Sequence, residues 1–279
     1  MRITFPAAAA ALFLATTAQA ATYPGWQSTI KYSTTSTAGA CGAATNKACG
    51  FKNFTRVTSS VVYDPVTDSY TVRDTGSLTT KSTFAPADID TTTATFVTYS
   101  KNGGDETFRT LNQAGVNPLI ELTYVTYGQW RRTSTSGDLT NVNDTYLVWG
   151  TKSPQSAVIS GTGSYATVLD GTFVNKDGAY AVSGTGTFDA NFGAGTIVYS
   201  SAATGTPELG GAAINFGTLT GSGSITSRSA TFKGAGVTNG SGYTMDVNGN
   251  FYGPAAEEVG GVFRLTGNGG NGTGALVGN

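Results

Sequence analysis

Phe251-Tyr252-Gly253-Pro254-Ala255-Ala256-Glu257-Glu258-Val259-Gly260-Gly261-Val262-Phe263-Arg264-Leu265 is the stretch that decides the fold. Upstream of it, Met245, Val247, Gly249 and Phe251 alternate with Asp246, Asn248, Asn250 and Tyr252, the period of two that gives a strand one wet face. Gly253-Pro254 ends that strand. Pro254 has the φ of a first helical position. Ala255-Ala256-Glu257-Glu258 therefore predicts one helical turn with its carboxylates at the positive end of the dipole, stopped by Gly260-Gly261. Gly261, Phe263 and Leu265 then alternate with Val262 and Arg264, so the chain returns as a second, antiparallel strand.

The same alternation extends outward. From Leu119 on, Ile120, Leu122, Tyr124, Thr126, Gly128 and Trp130 share one face, opposite Glu121, Thr123, Tyr127, Gln129 and Arg131. Tyr146 to Trp149 follows. Gly163, Tyr165, Thr167, Leu169, Gly171 and Phe173 then face Tyr180, Val182, Gly184, Gly186 and Phe188 across an Asn175-Lys176-Asp177-Gly178 turn. Further strands are read at 195–202, 213–226, 229–237 and 241–252. Gly on the inward face relieves crowding where a strand coils around a narrow barrel, and closure removes edges that so Thr-rich a sheet would expose. Earlier in the chain, 57–63 and 69–74 form a hairpin around Pro65, and 93–100 pairs with 107–111. These four strands are expected to make one small sheet. The fold class is all-β: a soluble antiparallel barrel of about eight strands, preceded by a small antiparallel sheet. The chain divides into a leader (1–20), an N-terminal lead and sheet (21–118) and the barrel (119–279).

The 251–265 stretch, with Thr273-Gly274-Ala275-Leu276-Val277-Gly278 after it, resembles the closing signature of the transferrin-binding protein B-like β-barrel domain. Within it, Tyr252, Gly253, Pro254, Glu257, Glu258, Gly260, Gly261 and Phe263 carry the likeness. Tyr124 to Trp130 is similar to that family's opening barrel strand, and Gly184 to Thr196 to its middle hairpin. The family includes transferrin-binding lipoprotein lobes, factor H-binding protein and secreted haem carriers. The resemblance implies a β "handle" before the barrel, a Gram-negative exporter, and a link to host-protein, iron or haem acquisition. It also implies a partner translocon or TonB-dependent receptor at the outer membrane.

Residues 1–20 read as a secretory signal: Arg2 gives the charged start, Ala7 to Ala15 the apolar run, and Ala18-Gln19-Ala20 the cleavage site, so the mature chain begins at Ala21. The run is too short to span a membrane, which needs about 20 residues. No Cys follows the cleavage point directly, so the lipid anchor common in the family is not expected; the protein is expected to be secreted or periplasmic, or held at the cell surface. In an oxidising compartment Cys41 and Cys49 read as a disulfide that stabilises by about 2–3 kcal/mol, with a metal pair as the rival. Lys and Arg number 16 against 17 Asp and Glu, and no basic stripe occurs, which excludes a nucleic-acid partner.

The count of His is 0, so His-based triads and His metal sites are excluded, and no catalytic residues, metal ligands or cofactors are assigned. Glu257 and Glu258 are neighbours that point apart, unlike paired glycosidase carboxylates. The Gly267 to Gly274 run lacks the Asp of calcium-binding glycine repeats and reads as a hairpin loop. Haem, if bound, has only Tyr or Met245 for a ligand. The candidate recognition group is Tyr127, Trp130, Arg131, Arg132 and Trp149, residue types that dominate interface hot spots, although alternation leaves only Tyr127 and Arg131 facing outward. The expected function is an exported, non-enzymatic binding protein for a host or environmental protein, or for an iron- or haem-related or other small solute. A structural or adhesive exported barrel without a small ligand is the alternative.

Overall fold

Period-two alternation, frequent Thr and frequent turn residues carry the chain through eighteen strands in the computed structural model, which describes residues 27–30, 34–36, 59–64, 66–74, 81–136, 139–208, 211–226, 230–237 and 240–279. The expected signal with its Ala20–Ala21 cleavage, and the Cys41–Cys49 pair, lie outside the described residues.

The strands are β1 (Gln27–Ile30), β2 (Thr34–Ser36), β3 (Ser59–Asp64), β4 (Ser69–Asp74), β5 (Lys81–Phe84), β6 (Ile89–Thr92), β7 (Phe96–Lys101), β8 (Glu106–Leu111), β9 (Val125–Ser136) and β10 (Leu139–Gly150). They continue as β11 (Thr162–Asn175), β12 (Gly178–Asn191), β13 (Thr196–Pro207), β14 (Ile214–Thr226), β15 (Thr231–Val237), β16 (Tyr243–Tyr252), β17 (Glu258–Gly267) and β18 (Gly270–Gly278). Three assemblies result: a four-stranded sheet in the order β1-β3-β4-β5, a six-stranded sheet in the order β2-β10-β9-β8-β7-β6, and a closed barrel running β11 to β18 in sequence. All pairings are antiparallel. Among the described residues helix is limited to short 3-10 turns at Pro86–Asp88, Asn102–Gly104 and Gln155–Val158, and none is long and apolar enough to cross a membrane.

The all-β class and the eight-stranded barrel agree with the sequence reading. Three expectations need correction. Tyr124 to Trp130 does not open the barrel: β9 pairs with β8 and β10, and the barrel closes without it by joining β11 to β18. The barrel strands therefore run from Thr162 to Gly278, not from about residue 119. The physical reason is that β9 lies in a middle layer with both faces covered, so its alternation marks no single buried side. The four early strands do not share a sheet either, since β3–β4 and β7–β8 fall in different sheets. The N-terminal lead adds β1 to the first of these sheets and β2 to the second. Finally, 253–258 forms no helical turn. Gly253 and Ala256 adopt left-handed φ of 86° and 62°, and β17 begins at Glu258, so Gly260 and Gly261 sit inside a strand.

Two cores hold this together. Inside the barrel, Phe188 meets Phe232 at 4.7 Å between ring centroids, Phe216 meets Tyr243 at 5.0 Å, and Phe192 meets Phe251 at 5.1 Å. Small residues make room for these rings: a β-carbon on Gly171 would come within 2.6 Å of the Phe263 ring, and Gly274 approaches the same ring from β18. Val158, on the linker from β10 to β11, is buried in the same core. The second core lies outside the barrel. It joins Val61, Val72 and Phe84 of the four-stranded sheet, Trp130, Tyr146 and Trp149 of the six-stranded sheet, and Val168, Val262, Ala275 and Val277 on the barrel wall. Apolar rings inside and Thr or Ser outside on β12–β14 are the reverse of a lipid-embedded barrel.

Phe251 touches four rings of the barrel core. Phe251→Ala should lower the free energy of unfolding by about 3–5 kcal/mol in urea denaturation followed by far-ultraviolet circular dichroism. A loss below about 1 kcal/mol would contradict a ring-filled barrel.

Candidate functional site

Strand β9 places the predicted recognition group, and its two faces meet different neighbours. Toward the four-stranded sheet, Trp130 is 0% exposed and donates Nε1–H to Glu106 Oε1 at 2.9 Å. Arg132 lies over the Trp130 ring at 4.0 Å. Trp149, on β10, is buried 6.2 Å from the Phe108 ring and 6.0 Å from Tyr70. Toward the barrel, Tyr127 is 1% exposed and donates its hydroxyl to Asp170 Oδ2 at 3.0 Å. Arg131 grips Asp144 in two prongs, Nε to Oδ1 at 2.7 Å and Nη2 to Oδ2 at 2.6 Å, and also reaches Glu208 at 2.8 and 3.1 Å. Tyr127, expected to face outward, is thus enclosed, and Arg131 is drawn into an ion-pair bridge. Tyr127, Trp130, Arg131, Arg132 and Trp149 all have internal partners because both faces of the sheet are covered.

Sequence reasoning missed what they dock against. Asp170, midway along β11, accepts Arg109 Nη2 at 2.8 Å on Oδ1 and 2.9 Å on Oδ2 as well as the Tyr127 hydroxyl. Thr172, two residues on along the same wall, donates to Asp144 Oδ2 at 2.8 Å and contacts the Tyr146 hydroxyl at 3.0 Å. A belt of two arginines, two aspartates and two tyrosines thereby joins the six-stranded sheet to the barrel. The available signal was a carboxylate in mid-strand among Val168, Leu169 and Gly171, where a free charge is costly unless paired.

Burial raises the Asp170 carboxyl above its usual range, and the Arg109 charge and Tyr127 hydroxyl pull against it. Burial works against the Arg109 and Arg131 charges, but their carboxylate partners outweigh it and hold both guanidinium groups firmly protonated.

The closing signature supplies a second contact. Glu258, 5% exposed, accepts the backbone N–H groups of Thr123 at 2.5 Å and of Tyr124 and Val125 at 2.8 Å each. Gly260 lets the sheet approach, since a β-carbon there would lie 2.7 Å from Val125 and 2.8 Å from Val148. Glu257 accepts the N–H of Ala255 and shapes the turn. The predicted signature residues are thus brought together, as structural pieces. Met245 is buried in the barrel core, and Tyr165 and Tyr199 donate their hydroxyls to the carbonyls of Ala256 and Met245, so these groups are engaged within the protein.

What faces solvent is different. The loop between β8 and β9 is braced by Asn117, whose side-chain amide donates to the carbonyls of Thr95 and Asn112 and whose oxygen accepts the Leu119 N–H. It projects Val116, 78% exposed, and Leu119, 38% exposed. Beside Leu119 a groove of about 510 Å³ runs over the barrel wall, floored by Ser183, Thr185, Ala202, Thr204 and Thr218. Among the described residues no group of three His, Cys, Asp or Glu side chains is placed to hold a metal.

Arg109→Leu, which strands the Asp170 charge, should cost about 3 kcal/mol in urea denaturation, and Arg109→Leu with Asp170→Leu should recover most of that. A single variant as stable as the parent would mean that the belt does not hold the sheet. Burial also raises the phenols: Tyr63, Tyr99 and Tyr252 go up to about 12, and Tyr127 lies well above its usual value. Because the folded state holds these protons more tightly, their contribution to stability is full below about pH 10 and is lost as pH rises through the folded-state values. Ultraviolet titration should show about half of the phenolate signal near pH 10 in urea and a smaller fraction in the native protein, whose buried phenols ionise at higher pH.

Residues 150–278 match the family described as the C-lobe and N-lobe beta barrels of Tf-binding protein B. No curated protein sequence matches the chain significantly. Solved structures similar to it include a double mutant of transferrin binding protein B from Haemophilus parasuis (17% identity, TM-score 0.47, covering 81% of this chain and 45% of that one). The isotype 1 transferrin binding protein B of Neisseria meningitidis is another (15%, 0.46, 80% and 51%). A third is the N-lobe domain of lactoferrin binding protein B from Moraxella bovis (12%, 0.38, 66% and 91%). The chain spans about half the length of the first two. The barrel that follows the six-stranded sheet lies within the matched residues and is similar to the β-barrels of the lobes of Tf-binding protein B.

Proposed function

We propose that the protein is an exported, non-enzymatic binding protein whose ligand is another protein, of the iron-carrier type named for its structural relatives, taken up on its outer surface. The observation that carries this reading is that, among the described residues, buried side chains pack both interiors. Rings occupy the barrel, and β9 and β10 carry buried side chains on both faces, which favours recognition on the outer surface over enclosure of a small solute. Recognition then falls to loops and walls. The braced loop with Val116 and Leu119, continuous with the groove on β12–β14, offers apolar contact on a rigid support, the arrangement that protein interfaces use at their centres. Similarity of residues 150–278 to the beta barrels of Tf-binding protein B supports the partner class.

Purified mature chain should capture transferrin or lactoferrin in a saturable surface-binding assay, and Val116→Asp with Leu119→Asp should weaken that capture at least about tenfold with the thermal midpoint unchanged. Haemin titration should give no saturable spectral change. Failure to retain either carrier, or any serum protein, while still adhering to surfaces would replace this reading with the adhesive one.

A further inference from the structure

The β17–β18 hairpin has two working faces. Inward, Val259, Phe263, Leu265 and Leu276 belong to the barrel core. Outward, Val262, Ala275 and Val277 belong to the core shared with the sheets, Gly260 admits Val125 and Val148, and Glu258 takes the N–H groups of residues 123–125. The same hairpin closes the barrel, because β18 pairs with β11 from Thr167 to Val174 as well as with β17. Asn279 continues the closure, exchanging backbone hydrogen bonds with Ala166 at 2.9 and 3.2 Å while its side-chain amide donates to the Glu121 carbonyl at 2.7 Å. Its Asn268-Gly269 turn has both residues at positive φ, 46° and 73°, the geometry that keeps a two-residue hairpin in register.

We propose that this hairpin is a latch that makes barrel closure and docking of the six-stranded sheet a single event, so that the sheet is held in place only on a closed barrel. Two domains of one chain ordinarily move relative to each other unless their interface is large and apolar. Here the docking surface is made of the barrel's closing strands, and Glu258 lies 135 residues beyond its Thr123 partner. Opening the β11–β18 seam removes the surface that covers β9 and β10. Displacing the sheet exposes Val262, Ala275 and Val277 and leaves the Glu258 carboxylate without its three donors. A partner protein therefore meets one rigid frame, and an agent that opens the seam also releases the sheet.

The two sides are separately addressable by adjacent glycines. Gly261→Ala acts within the barrel, where a β-carbon would lie 2.6 Å from the Asn248 carbonyl oxygen. Gly260→Val acts at the sheet, against Val125 and Val148. Hydrogen exchange of the full chain should show that either substitution lowers amide protection in 126–132 and in 163–174 by the same factor, within about twofold. If Gly261→Ala loosens only the barrel segment, or Gly260→Val only the sheet segment, the latch is refuted. Should either variant fail to fold, exchange of the parent protein in rising denaturant decides the question. Merging of the two segments on one isotherm supports the latch, and two separate isotherms refute it.

Discussion

The Glu258 carboxylate is the contact on which the arrangement turns. It leaves the first position of β17, is buried, and accepts three successive backbone N–H groups at the entry to β9. Burial raises its pKa and the three N–H donors work against that rise. A buried carboxylate needs such donors, and buried N–H groups need an acceptor; each removes the other's desolvation cost, at about 1.5–3 kcal/mol for a hydrogen bond to a charged group. The direction in which β9 leaves the barrel is thereby set, and the rest of the six-stranded sheet follows from its pairing with β8 and β10.

From that entry point the interface becomes progressively polar. Near Glu258 the contact is close and apolar, with Gly260 allowing Val125 and Val148 to reach the barrel wall. Further along β9 it passes to Tyr127 and Arg109 on Asp170, and then to Arg131 between Asp144 and Glu208. Such pairs contribute modest net stability against an apolar equivalent, but they penalise any misplacement strongly, so their role is to fix register. The aromatic residues that look from sequence like a binding surface are consumed in building this joint. What stays exposed has little sequence signature: a braced loop and a neutral Thr- and Ser-lined wall.

Much of this was legible beforehand, for physical reasons. In β12, Tyr180, Val182 and Phe188 are inward and buried while Ser183, Thr185 and Thr187 are exposed, because a barrel wall with one wet side obeys a period of two. The closing hairpin announced itself through Gly253-Pro254 and the alternation on either side. Legibility failed wherever both sides of an element are covered. Over 125–130 in β9 and 144–150 in β10 every residue is buried, so the alternation that placed Tyr127 and Arg131 outside had no wet face to report. Glu257-Glu258 suggested the start of a helix, since local pattern carries no information about donors lying 135 residues away.

The amino-acid sequence by itself determined that the chain is all-β, that its last strands coil into a closed cylinder, and that His-based chemistry is excluded, because alternation, Gly placement and residue inventory are local properties. Only the tertiary structure decided which strands belong to the barrel, which side chains are enclosed, and that Asp170 and Glu258 are the acceptors binding sheet to barrel. Those outcomes depend on which surfaces meet. Pairing of distant strands and desolvation of charges are set by the whole assembly, and no window of sequence contains both partners.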